Sequence, residues 1–210
     1  MENEFKRRSK VYHFVKRLFD ILFSLLFIII LSPILLLISL VNLLTLKCSP
    51  FYRHKRYGKG GMVFYLYKFR TMVPNADDMI KDFTPEQMKE WKENFKLKND
   101  PRVTKFGKFL RVTSLDELPQ LFNILKGDMS LVGPRPVIES ELDWYGKDMD
   151  KFLSVTPGLT GWWACNGRNC VKYPERCALE LYYVDHASIL LDIKIILRTI
   201  VSVFKREGAM

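Results

Sequence analysis

From Leu18 to Leu46 the chain is almost entirely apolar, interrupted by Asp20, a few small polar residues, Pro33 and Asn42. A helix of about 25 residues reaches roughly 38 Å at about 1.5 Å per residue, enough to cross a bilayer. A single spanning helix is therefore the simplest reading. A cleaved signal peptide fits poorly, because the run is long and lacks a small-x-small cleavage site. Basic residues close to a membrane segment prefer the cytoplasmic side. Here both flanks are basic: Lys6, Arg7, Arg8, Lys10, Lys16 and Arg17 before the run, and Lys47, Arg53, Lys55, Arg56 and Lys59 after it. Midway lie Ser32 and Pro33, and a proline there removes a backbone donor and crowds the preceding turn. A re-entrant helix that enters, breaks at Ser32-Pro33 and returns to the same face satisfies both features. The carbonyls that proline frees then need partners, which a serine or a neighbouring helix can supply.

The formal net charge of +10 calls for an anionic partner, whether nucleic acid, anionic lipid or a phosphate-bearing substrate. The four cysteines, three of them spaced C-x4-C-x6-C at Cys165, Cys170 and Cys177, match neither a disulfide scaffold nor a usual zinc spacing. They read as reduced thiols.

Phe51 to Met72 reads as a basic β-hairpin turning at Lys59-Gly60-Gly61. Lys68 and Arg70 lie two apart on its second strand, hence on one face, where they either clamp phosphate or form a solvated basic edge. Asn75 to Lys98 is a polar helical segment that Pro85 splits, and Asp100-Pro101 ends it. Arg102, Lys105, Lys108 and Arg111 are then interleaved with Phe106, Phe109 and Leu110. Such interleaving can serve nucleic acid, but beside a membrane segment it more often faces headgroups or a phosphate site. Ala178 to Lys205 reads as one amphipathic helix, interrupted by Asp192, Lys194 and Arg198, lying against the bilayer or closing the core.

Between these elements lies TSLDELPQLFNILKGDMSLVGPRP, residues 113–136. It opens on adjacent carboxylates, Asp116 and Glu117, and closes on Gly133-Pro134-Arg135-Pro136, a stiff turn holding one arginine. Ser114-x-x-Glu117 also spells a helix capping box, which would give Glu117 a purely structural task. If Asp116 is the cap instead, Pro119 falls in the first helical turn, where its missing N–H costs little. A carboxylate can attack phosphorus and hold it as an acyl phosphate, and attack on a diphosphate needs its charge neutralised by Mg²⁺ and arginine. The acid pair, with Arg111 and Arg135, has the groups for that chemistry.

Taken together, the motifs resemble the bacterial sugar transferase family, the small monotopic polyprenyl-phosphate phosphoglycosyl transferases. The residues that carry the resemblance are KRLFD at 16–20, Ser32-Pro33, YKFRTM at 67–72 and DPRVTKFGKFLR at 100–111, then residues 113–136, PGLTGWW at 157–163 and LDIKIILRT at 191–199. The resemblance implies a re-entrant membrane helix broken at Ser32-Pro33, and a catalytic domain on the cytoplasmic face of a bacterial inner membrane. It implies transfer of a sugar 1-phosphate from a UDP-sugar to polyprenyl phosphate with release of UMP, the first membrane step of glycoconjugate assembly. Asp116 takes the place of the nucleophile that carries the phosphosugar, and Glu117 that of its neighbour. Both are implicated in holding Mg²⁺, and Glu117 also in activating the incoming lipid phosphate. Arg111, Arg135, Lys68, Arg70 and Arg168 fall on the family's substrate-binding positions. Two positions depart from the usual pattern: His54 replaces a glutamine, and Trp163-Ala164, then Cys165, follow PGLTGW where an alanine-glutamine pair is common. His54 is also available as a base.

The fold expected is α+β and mostly helical, a monotopic membrane protein with a re-entrant N-terminal helix hairpin, a small basic β-hairpin and amphipathic interfacial helices. Residues 1–47 form the basic flank and membrane helix, and residues 48–210 the catalytic domain. The competing reading from another class is a non-catalytic basic adaptor that binds anionic lipid. No nucleic acid is expected as a partner. Glucose, galactose and N-acetylated amino sugars all stay open as the sugar, as do the polyprenol and the oligomeric state.

Overall fold

The computed structural model describes residues 8–94, 97, 99–167 and 171–204. The first helix, α1 (Lys10–Leu46), starts at Ser9, whose hydroxyl accepts the Tyr12 N–H, and ends at Lys47 in a left-handed conformation (φ 52°). It does not divide at Ser32-Pro33, where the expected hairpin would turn: its backbone stays helical through the proline. Pro33 has no N–H to offer the Ile29 carbonyl, and the Ser32 hydroxyl donates to that carbonyl instead, at 2.8 Å. The lost bond is replaced within one turn, so the helix survives its proline.

One stripe of α1 is tied to the rest of the chain along its length. The Arg17 guanidinium donates to the carbonyls of Ile124 and Leu125 (2.6 and 2.7 Å). Asp20 accepts from the Ser130 hydroxyl and the Leu131 N–H. Ile28 packs on Phe64, Leu66, Leu121, Ile124 and Met129, and Ile38 on Phe69 and Leu110. Near the far end, Asn42 donates to the Arg70 carbonyl at 3.0 Å. The opposite face leaves Leu22, Leu26, Ile29, Ile30, Leu36, Leu37, Leu40 and Leu44 exposed. An apolar face this long suits lipid rather than water. By length and hydropathy α1 can cross a membrane.

Strands β1 (Phe51–Tyr57) and β2 (Val63–Phe69) form the expected hairpin, antiparallel with Phe51 opposite Phe69 and Tyr57 opposite Val63. Gly60 and Gly61 supply the positive φ of the turn between them. Phe64 and Leu66 are buried, while Arg53, Lys55 and Tyr65 on the alternate face are exposed. A 3-10 turn (Asp78–Asp82) and α2 (Pro85–Asn94) follow, with Pro85 at the first helical position. Then come α3 (Lys105–Val112), α4 (Gln120–Lys126), β3 (Ser130–Val132), the short α5 (Glu139–Leu142) and α6 (Met149–Phe152), and β4 (Gly158–Thr160).

The parallel pairing of β3 with β4 has no counterpart in the sequence reading. It depends on a close approach: a Cβ on Gly158 would lie 2.0 Å from the Gly133 nitrogen. The C-terminal segment is two helices rather than one, α7 (Glu175–His186) and α8 (Ile189–Phe204). Ser188 restarts it, its hydroxyl accepting the Leu191 N–H and its carbonyl the Asp192 N–H. On α8, Leu190, Ile193, Leu197 and Ile200 are exposed, while Ile195 is buried against Val132, Tyr183 and Ala187. The helix therefore both closes the core and presents an apolar outer face.

Candidate active site

Thr104 caps α3 by accepting the Gly107 N–H at 2.8 Å. Gly107 lets the helix settle on Thr71, since a Cβ there would lie 2.0 Å from the Thr71 carbonyl oxygen. That contact brings Arg111, in the last turn of α3, to donate its Nε to the Thr71 hydroxyl at 2.9 Å. Ser114 then adopts a left-handed conformation (φ 58°, ψ 15°) and reverses the chain into a 3-10 turn, Leu115–Glu117. The capping box does not form, because Ser114 lacks the extended geometry of a cap and its side chain makes no capping bond. Pro119 stands at the N-cap of α4, where its missing N–H leaves nothing unpaired.

Asp116 is 8% exposed. Burial, opposed by the Lys68 charge and reinforced by the Glu117 charge, pushes its carboxyl up to about 6, with Arg111 also holding it down. Lys68 donates to Glu117 at 2.7 Å. Asp116, Glu117, Lys68 and Arg111 are thus gathered at one place from three separate segments. Burial also lowers the Arg111 pKa, which the Asp116 and Asp100 charges counteract.

Arg135 lies a layer away. Its N–H donates to Glu180 at 3.1 Å and its guanidinium rests over the Trp163 ring, 5.6 Å from the centroid. Arg135 bears electrostatically on His54 and Arg56, and so do Lys68 on His54 and Glu117 on Arg56. The β1 face thus joins the dyad to the Gly133–Pro136 turn. His54 is half-buried, and burial together with the Arg56, Lys68 and Arg135 charges lowers it to about 4. Its Nδ1 sits 3.1 Å from the Arg56 guanidinium, which can only donate, so His54 is neutral and accepts there. A base that weak is poorly matched to neutral pH.

Arg70 takes a different direction from Lys68. Its Nε donates to the Ser49 carbonyl at 3.0 Å and its guanidinium lies over Tyr52. Strand alternation thus fails to make a clamp of the two, because Arg70 lies past the end of β2. Arg168 is outside the described residues.

Three residues escaped the sequence reading. Thr71 orients Arg111. Arg56, buried, donates to the Pro136 carbonyl and to Glu141, both at 3.3 Å, and so holds the turn that carries Arg135. Glu180 is 0% exposed, and burial pushes its carboxyl up to about 8 against the pull of the Arg135 N–H and charge and the Arg176 charge. A signal for Glu180 existed: Cys177, Glu180 and Val184 recur at helical spacing on one buried stripe, and a carboxylate on an apolar stripe needs a partner.

As a cation site the dyad offers hard carboxylate oxygens, and no third His, Cys, Asp or Glu joins it among the described residues. Two carboxylates, with the remaining positions left to water and substrate phosphate, is a donor set that suits Mg²⁺. A carboxyl already raised by burial and by its neighbour's charge gains from such an ion. The residues present fit it.

A buried carboxylate with a lysine and an arginine acting on it has the groups that phosphate chemistry requires. The chain belongs to the bacterial sugar transferase family, whose model matches residues 11–206. It is 46% identical over 213 residues to the undecaprenyl-phosphate galactose phosphotransferase of Salmonella typhimurium, covering 100% of this chain and 44% of that protein. It is 45% identical over 197 residues to the exopolysaccharide production protein ExoY of Sinorhizobium fredii, covering 92% and 87% respectively. The UDP-glucose:undecaprenyl-phosphate glucose-1-phosphate transferase of Klebsiella pneumoniae is 41% identical over 203 residues, covering 92% of this chain and 41% of that protein. The chain thus spans less than half the length of the Salmonella and Klebsiella relatives, and most of ExoY.

Proposed function

We propose that this chain is a phosphoglycosyl transferase that moves a sugar 1-phosphate from a UDP-sugar to polyprenyl phosphate, with Asp116 as nucleophile. The observation that carries the reading is Asp116 itself: a buried carboxylate, raised to about 6, held between Lys68 and Arg111. In its ionised form an Asp116 oxygen attacks the sugar-bearing phosphorus of the diphosphate. The bond to the bridging oxygen breaks, UMP leaves with the electron pair, and the sugar phosphate stays on Asp116 as an acyl phosphate. An oxygen of polyprenyl phosphate then attacks the same phosphorus, which returns the carboxylate and gives the polyprenyl-diphosphate-sugar. Arg111 and Lys68 stabilise charge that develops on the phosphoryl oxygens, Arg111 being aimed by Thr71. Arg135 is the cation this reading assigns to the more distant part of the nucleotide, and Arg56 holds the turn that carries it. Glu117 is placed to receive a proton from, or to orient, the incoming lipid phosphate.

Asp116 and Glu117 are the residues that would hold Mg²⁺, whose chemistry there is to neutralise diphosphate charge. The Salmonella and Klebsiella relatives are named for galactose and for glucose, so a hexose 1-phosphate is the favoured cargo.

The membrane disposition in this reading is monotopic. Arg17 near one end of the apolar stretch and Asn42 near the other both bond to the same domain. A helix so tied cannot deliver its ends to opposite faces of a bilayer. Unbroken through Pro33, it lies along that domain with its exposed apolar face in one leaflet, the site being on the cytoplasmic face, where the basic flanks prefer to be.

Intact-protein mass spectrometry, after incubation with Mg²⁺ and a panel of UDP-sugars without lipid acceptor, tests the reaction. A mass gain of one sugar phosphate, mapped to the Asp116 peptide and absent in Asp116→Asn, supports it and names the sugar. UMP release only after lipid phosphate is added would replace the covalent route with direct transfer. No reaction under either condition would favour the lipid-binding adaptor.

A further inference from the structure

Asn123 lies on α4 with no exposed surface. Its Oδ1 accepts the Tyr67 N–H at 2.9 Å, and its Nδ2 donates to the Tyr65 carbonyl at 2.8 Å and to Asp128 at 3.2 Å. The orientation of the amide is dictated by these partners, since Oδ1 meets a donor and Nδ2 meets two acceptors. Asn123 thus pairs with the backbone edge of β2 as a neighbouring strand residue would. Its own carbonyl is engaged as well, accepting from the N–H groups of Gly127, Asp128 and Met129. The residue is anchored at both ends.

What this anchorage separates is informative. On one side, the residue after Tyr67 is Lys68, whose ammonium donates to Glu117 at 2.7 Å and whose charge lowers Asp116. On the other side, α4 runs directly on from the 3-10 turn that carries Asp116 and Glu117, with Leu118 and Pro119 between. Nothing in β2 is covalently near that turn. The Lys68–dyad distance is therefore set by how β2 sits on α4. Phe64 and Leu66 packing on Leu121 and Ile124 gives adhesion, but apolar packing tolerates sliding. A pair of amide bonds to alternate backbone groups fixes register.

We propose that Asn123 is a positioning residue for this reaction: by hydrogen-bonding the edge of β2 it holds Lys68 in register with Glu117 and Asp116. A buried asparagine with only a folding role would lower stability when removed, yet leave the Lys68 ion pair intact in the molecules that stay folded. A positioning residue changes the ion pair itself.

The first test needs no turnover, so it stands apart from the transferase reading on which the inference rests. In the full chain in detergent, the acylation rate of the Lys68 amine is measured by mass spectrometry against exposed Lys81. Asn123→Ala is expected to raise the Lys68 rate roughly threefold, approaching the rate in Glu117→Gln. Asn123→Asp keeps the bond from Tyr67, loses the one to Tyr65 and covers the case in which the alanine variant does not fold; it is expected to give a smaller rise. Lys68 reactivity unchanged in either folded variant overturns the proposal. The second test is kinetic. Asn123→Ala is expected to lower kcat/KM roughly tenfold, and to lower it little further when added to Lys68→Ala. Independent, additive losses overturn it. Absence of turnover in the unsubstituted protein would sink the transferase reading while leaving the acylation result to judge Asn123.

Discussion

Lys68 and Glu117, from a strand and a turn far apart in sequence, meet at 2.7 Å beside Asp116. Their charges act on Asp116 in opposite directions, Lys68 lowering its pKa and Glu117 raising it, while burial raises it most. In the proposed mechanism Asp116 attacks in its ionised form, so activity is expected to fall as pH drops through about 6. Lys68→Met moves that acid limb to higher pH, and Glu117→Gln moves it to lower pH. The kcat/KM profile between pH 5 and 8 checks both signs.

Asp116→Asn abolishes adduct formation and lowers turnover by about 10³-fold or more. It also stabilises the protein. A carboxyl raised in the folded state contributes stability below its unfolded pKa, and that contribution is lost as pH rises through about 6. The asparagine carries no such loss, so thermal unfolding at pH 7.5 shows a gain of up to about 3 kcal/mol that shrinks toward pH 4.

Glu180 obeys the same sign over a wider window. Raised to about 8 by burial, it weakens the fold as pH climbs from the ordinary glutamate range through that value. Glu180→Gln keeps an oxygen for the Arg135 N–H. Its melting temperature exceeds that of the parent at pH 8 and matches it near pH 4.5, in paired thermal scans.

Gly107→Ala forces a methyl group toward the Thr71 carbonyl, 2.0 Å from where it would stand. Helix α3 must shift, and the Arg111–Thr71 bond goes with it. Destabilisation of about 1–3 kcal/mol follows, together with a fall in kcat/KM larger than the loss of folded protein explains. Circular dichroism melts and active-fraction-corrected kinetics separate the two.

In the proposed monotopic arrangement the two ends of α1 share one face of the membrane. Native Cys48, just past the helix, and a cysteine placed at Ser9 are both labelled by an impermeant maleimide applied to inside-out vesicles, and neither by the same reagent applied to sealed cells. Labelling of one from each side would replace the monotopic arrangement with a span.

Much of this protein is determined by local pattern. The apolar run, its basic flanks, the Gly60-Gly61 turn of the hairpin and Pro85 at the start of α2 depend on neighbours in sequence, and each is legible there. So is the family, because its motifs recur in order along the chain. The dyad was legible as a pair of acids, but the capping box spelled by the same letters was an equally local alternative. What decided against it was the left-handed turn at Ser114 and the arrival of Lys68 from β2.

Pro33 teaches the same lesson. Its effect on the helix depended on where the Ser32 hydroxyl would point, and that hydroxyl caps the carbonyl that proline abandons. Tertiary structure alone decided that Lys68 would face the acids while Arg70 turned to Ser49, and that Glu180 would reach the backbone of Arg135. Likewise, Gly133 and Gly158 had to touch before β3 and β4 could pair. These relationships join segments distant in sequence through packing and hydrogen bonds, and no periodicity in a single segment encodes the distance between two.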